Sequence, residues 1–258
     1  MTDSRTLRIE STRGDGAWAE LAPARGAIVT RFFTSGRHVL SLDESTLLDP
    51  TKNVRGGIPI LFPAPGKLEE GRFVFEGAAF EMKQHGFARD RAWSVVAHTG
   101  DHVTLGLDST ADTRVQFPFD FALTFTFTLE GGALRILQRF ENRSAAAMPL
   151  HAGFHPYFLV PDAEKARTTI ATRATKAFDN VTKRDIPFDG FDLTLPEVDL
   201  HLADHGGSTC VLTRPDGKGS VTIEASSEFT HWVVWTVAGK DYVCVEPWTA
   251  PGNALNSG

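Results

Sequence analysis

Every second residue from Phe119 to Leu129 is large and apolar: Phe119, Phe121, Leu123, Phe125, Phe127 and Leu129. Asp120, Thr124, Thr126 and Thr128 fill most of the gaps. A period of two is the mark of a strand with one buried face. Gly131-Gly132 follows, and two glycines accept the positive φ of a two-residue hairpin turn. Residues 134–140 are therefore predicted to return antiparallel. Shorter versions of the pattern recur. Residues 18–42 predict a pair of strands with a turn at Ser35-Gly36, and residues 72–82 a hairpin with Glu76-Gly77 at its tip. Residues 92–97 and 102–107 predict two strands about Thr99-Gly100-Asp101, and residues 211–225 a hairpin about Asp216-Gly217. His231–Val237 is an unbroken apolar run, suited to a strand covered on both faces.

Other stretches carry breakers. Residues 58–65 contain Pro59, Pro63 and Pro65, so they read as a rigid loop or sheet edge and not a central strand. Residues 47–57 read as irregular, and 168–192 as strands and loops. Residues 241–246 form the last strand, which Pro247 is expected to stop, leaving 248–258 as loop. No pattern predicts a helix longer than two turns; Asp162–Arg167 suits one turn. With no fixed-period repeat and no linker-like shift in composition, residues 1–258 read as a single all-β domain. Its antiparallel sheets would pack as a sandwich.

Composition narrows the function. The chain has 258 residues, 41% hydrophobic and 22% charged, enough to bury a core without disulfide staples. Its net charge of −6 leaves no basic stripe for nucleic acid. Two cysteines, Cys210 and Cys244, make no disulfide framework. No run of 18 apolar residues offers a membrane span, and residues 1–11 lack the apolar centre of a secretory signal. A cytoplasmic, monomeric protein is the expectation.

The chemistry gathers in four stretches. Gln84-His85-Gly86-Phe87-Ala88-Arg89 puts an amide, an imidazole and a guanidinium into six residues. Arg55-Gly56-Gly57 sets a guanidinium beside glycines whose bare N–H groups could cradle an anion. In His155-Pro156-Tyr157-Phe158 the proline and two aromatics would fix the imidazole as an acid or base. Cys244-Val245-Glu246-Pro247 ends a strand whose alternation puts Tyr242, Cys244 and Glu246 on one face; the carboxylate would be held against Trp248 and made more basic. Two Arg, two His and one Glu suit a polar, anionic ligand and the movement of protons on it. Lys67 and Arg91 would add positive charge. His151 and His155 are four apart, a metal-ligand spacing, but Pro156 argues against a helix and no further ligand stands nearby, so no metal is expected. The remaining six histidines, His201 and His231 among them, carry no supporting context.

These stretches, with Phe62-Pro63, span about three quarters of the chain. Together they resemble the aldose 1-epimerase (mutarotase) superfamily, most nearly its hexose-6-phosphate mutarotase branch, the glucose-6-phosphate 1-epimerases. The resemblance implies a galactose mutarotase-like β-supersandwich. It implies an isomerase interconverting α and β anomers of an aldohexose, with Glu246 as general base and His155 as general acid. Arg55, Gln84, His85, Arg89 and Asp199 would bind the substrate; Asp189 and Asp192 are alternatives to Asp199. No cofactor is implied, and the partner is a small sugar or sugar phosphate. Leu61 to Gly66 with Gln84 to Asp90 also resembles an epimerase-like branch, whereas Arg55-Gly56-Gly57 favours the phosphate-binding one. The alternatives are a mutarotase of an unphosphorylated aldose, or a sugar-phosphate-binding module without turnover.

Overall fold

The computed structural model describes residues 6–215 and 217–257. The aromatic row forms the strand Phe121–Glu130, paired along its length with Ala133–Asn142. Gly131 and Gly132 turn between them at φ +56° and +77°. Phe121, Leu123, Phe125, Phe127 and Leu129 are buried. Phe117 and Phe119 precede the strand and are buried too, behind a short helix, Ala111–Gln116, whose Thr110 and Thr113 form a capping box. His102–Asp108 and Ser94–His98 complete a four-stranded antiparallel sheet. A second four-stranded sheet holds Leu7–Glu10, Trp18–Ala22, Ile28–Thr34 and Arg37–His38. Arg72–Phe75 and Ala78–Glu81 make the expected hairpin. Thr209–Thr213 and Ser220–Glu224 make another; Asp216, expected in its turn, lies outside the described residues.

The site is carried by an eight-stranded antiparallel sheet. At its centre His231–Val237 pairs with Tyr242–Trp248, and Glu197–Leu202 pairs with the outer side of His231–Val237. On the other side of Tyr242–Trp248 lie Tyr157–Leu159 and, past a break, Gly153–Phe154, with Ile60–Leu61 at the edge. The proline-rich stretch is thus the edge segment expected of it.

Pro247 does not stop the last strand, which runs on to Trp248. On the side of Gly153 and Tyr157, residues 242–244 pair with 159–157 and Trp248 pairs with Gly153. Pro247 falls in the break between those partners, where the ladder asks for no N–H. Three further elements lie where loop or nothing was expected: the turn-length helices Glu44–Leu48 and Ala254–Ser257, and the strand Glu197–Leu202.

Aromatic contacts fasten the site loops to the core. Phe62 meets Phe87 edge to face with centroids 6.0 Å apart, and also packs on Phe117, Phe121 and Phe140. Phe125 meets Phe154, so the two sheets interlock beneath His155.

Candidate active site

Glu246 and Cys244 are two apart on the Tyr242–Trp248 strand, so their side chains share a face. Glu246 is 1% exposed, and one of its oxygens, Oε2, accepts a 3.1 Å hydrogen bond from Trp248 Nε1. The other, Oε1, stands 3.3 Å from His155 Nδ1. His155 sits in the break between Gly153–Phe154 and Tyr157–Leu159, with its N–H bonded to Pro59 O. Its ring stacks on Tyr157 at 4.7 Å and 9°, and meets Trp235 and His85 edge to face.

Burial governs both charges. It lifts the Glu246 carboxyl well above its ordinary range, with the Trp248 hydrogen bond and Arg89 opposing and Asp199 adding to the rise. It also pushes His155 down to about 3, helped by the positive charges of Arg89 and Arg55. A general base at Glu246 and a general acid at His155 call for the charged form of each, and burial works against both.

His85 meets both His155 and Trp248 edge to face, with centroids 5.6 and 5.7 Å away. Its ring Nδ1 accepts from Gly66 N–H at 3.0 Å while its backbone N–H donates to Gly66 O at 2.7 Å. An acceptor Nδ1 puts the ring proton on Nε2, so His85 is a neutral donor. Burial first, then the neighbouring His155 and Arg89, hold it in that form. This requires His85 at φ +69° and Gly86 at +70°, with a Cβ on Gly86 falling 2.0 Å from Phe62 O. Phe62 O in turn accepts from Phe87 and Ala88 N–H.

Arg89 donates through Nη2 to Gln84 O at 3.0 Å, and its buried Nε has no partner. It borders a surface depression lined also by Arg25, Lys52, Val54 and Pro59. Arg55 is exposed, and its charge reaches His155, His85 and Tyr157. Asp199 Oδ1 is 3.1 Å from His201 Nε2, and its Oδ2 accepts from Asn180 Nδ2 at 2.6 Å. These contacts keep its carboxyl below the usual range although burial opposes them.

A family model described as aldose 1-epimerase matches residues 15–255. The chain belongs to the aldose 1-epimerase family. The enzyme is thereby an isomerase that interconverts the anomers of a sugar. It is similar to the Slr1438 protein of Synechocystis sp. PCC 6803, with TM-score 0.93 and 40% identity, covering 98% of this chain and 88% of that one. A galactose mutarotase-like protein of Lactobacillus casei has the same fold, with TM-score 0.78 and 23% identity over 95% of this chain and 87% of that one. A Salmonella typhimurium protein named as a candidate glucose-6-phosphate 1-epimerase is 31% identical over 121 residues, 45% of this chain and 38% of that one.

The enzyme brings together most of the residues singled out from sequence. His85, His155 and Glu246 are in one buried group, and the charges of Arg55, Arg89 and Asp199 act on it. Gln84 is exposed and contributes its backbone carbonyl to Arg89. Gly56 and Gly57 are not an anion cradle. Gly57 N–H is taken by Ser41 O at 2.8 Å, and a Cβ on either glycine would strike backbone, at Leu42 or Val29, within 2.4 Å. Arg91 faces Asp112 instead of the site. The sequence reading missed His201, which meets Trp248 edge to face at 5.2 Å and holds Asp199. Its position two residues after Asp199, on the same strand face, was the available signal.

Proposed function

We propose that the enzyme interconverts the α and β anomers of an aldohexose 6-phosphate, with His155 and Glu246 as its acid–base pair and residues 1–258 as one catalytic domain. The observation that carries the reading is the buried 3.3 Å pair itself, fixed by Trp248 and Tyr157. One proton in the pair is what the reaction needs. With the proton on Glu246, the pair suits the open-chain aldehyde: Glu246 donates to the C1 oxygen while neutral His155 takes the proton of the C5 hydroxyl, and the ring closes. For the closed ring the proton sits on His155, which gives it to the ring oxygen as Glu246 takes the C1 hydroxyl proton. Rotation about C1–C2 between the two steps exchanges the anomers. His85, a neutral Nε2–H donor, and Asp199 would hold sugar hydroxyls.

The phosphate is supported by Arg89, a half-buried residue whose buried Nε has no partner and which borders a depression lined also by Arg25, Lys52 and Asp90. The charge of Arg55 also acts on His155. The Salmonella relative's name points the same way. Both cysteines are free and buried, which suits the reducing cytoplasm.

Exchange NMR on glucose, galactose and their 6-phosphates tests the reading. Glu246→Gln and His155→Ala should each slow exchange by at least about 100-fold. Full exchange in either variant refutes the assignment. Tight sugar-phosphate binding with only the spontaneous exchange rate would make the protein a binding module instead.

A further inference from the structure

We propose that His155, Cys244 and Glu246 form a binding site for Zn²⁺ or a similar borderline-soft dication, and that its occupation switches off anomer exchange. Among the described residues they are the one set of three histidine, cysteine or carboxylate side chains whose donor atoms all lie within 4.8 Å of one another. The set arises from the fold. Cys244 and Glu246 project from one face of the Tyr242–Trp248 strand, and the break between the two strands paired beside it sets His155 over them. All three are buried, Cys244 completely.

A second observation points to a ligand. His155 Nδ1 is buried and makes no hydrogen bond, although Glu246 Oε1 is only 3.3 Å away. The two atoms are close without pointing at one another, as donors to a shared third atom would be. Zinc bonds of about 2.0–2.1 Å to nitrogen and oxygen, opened to the tetrahedral angle, separate the two donors by about 3.3–3.4 Å. The imidazole cannot swing away, because Tyr157 stacks on it and Trp235 stands against its edge.

An imidazole, a thiolate and a carboxylate are a zinc-type donor set, and a fourth position remains for water or a sugar oxygen. As the metal–sulfur and metal–oxygen bonds form, the thiol proton and the carboxyl proton leave to solvent. The two resulting negative charges match the dication. Inhibition follows because the metal takes the lone pairs that exchange would use to carry its proton. That last step rests on the acid–base reading above; the binding does not.

Cobalt titration of the full chain tests the binding first. Co²⁺ should give a thiolate-to-metal charge-transfer band in the near ultraviolet, saturating at one equivalent and displaced by Zn²⁺. The band should vanish in Cys244→Ser and Cys244→Ala and persist in Cys210→Ala. Absence of the band in the unmutated protein, or its survival in Cys244→Ser, overturns the site. For the switch, Zn²⁺ should slow exchange at least about tenfold, reversibly with EDTA. Cys244→Ser should keep its metal-free rate within about threefold and lose that sensitivity. Equal inhibition of both forms, or bound metal with unchanged exchange, overturns the switch. Should no sugar be turned over, the cobalt band still reports the site, so the two failures are distinguishable.

Discussion

Replacing Arg89 with alanine separates a phosphate-reading arginine from a structural one, and the contacts of Arg89 set the expected size. Among the described residues its side chain makes one hydrogen bond, from Nη2 to the backbone carbonyl of exposed Gln84. That bond contributes about 1 kcal/mol net. Its Nε is buried without a partner, an arrangement that costs about 1–3 kcal/mol while unfilled. Removing the side chain loses the first and relieves the second, so stability should stay unchanged or rise by up to about 2 kcal/mol. Substrate binding should behave otherwise. A phosphate oxygen placed on that Nε makes a charge-assisted contact of about 1.5–3 kcal/mol. The contact is equal in ring-closed and open forms, so its loss is uniform binding and raises KM by about 10- to 100-fold while kcat stays within about threefold. Exchange NMR on glucose 6-phosphate and glucose, run beside a thermal melt, reads all three quantities. Arg89→Lys should recover only part of the loss, because an ammonium lacks the planar fork. An equal loss on both sugars, or a drop in stability that accounts for the rate, would refute the reasoning and favour an unphosphorylated substrate.

Other outcomes follow from the same contacts. Trp248→Phe removes the donor to Glu246 Oε2 and leaves a buried acceptor unpaired, so the carboxyl should rise further and kcat fall about tenfold in the exchange assay, with the fold kept. Gly86→Ala would set a Cβ 2.0 Å from Phe62 O at φ +70°, against backbone already bonded to Phe87 and Ala88, and should cost at least about 3 kcal/mol, seen as a melting temperature lower by about 6–12 °C. His231 is held down to about 4, first by burial and then by His201, His205 and His151. Between that value and the unfolded value of 6.5 the unfolded chain binds more protons, so stability rises with pH across the window and levels off above it. Urea midpoints across this window should show a shallower rise in His231→Gln, and an unchanged slope would remove His231 from the account.

The hydrophobic pattern alone determined the strands and most turns. Phe121 to Leu129, the Gly131-Gly132 turn and the hairpin at Glu76-Gly77 follow from side-chain alternation and backbone φ, which are local properties. The same pattern was present in Val198, Leu200 and Leu202, where polar Asp199 and His201 between them belong to the site. The four motif stretches also named most of the residues that meet, because each carries its own glycine, proline or aromatic. Whether Pro247 ends its strand depended on a break in the neighbouring ladder, about 90 residues away in sequence. The role of Gly56 and Gly57 depended on how closely Leu42 and Val29 approach them. Above all, the protonation of the site was a tertiary decision. Sequence placed a carboxylate and an imidazole near one another; the sheet and its aromatic neighbours buried both, and desolvation then favoured the neutral form of each. Cys244 shows the same division. Its position two residues before Glu246 is written in the chain, but its meeting with His155 required the strands on either side of the break to pair with one and the same neighbour.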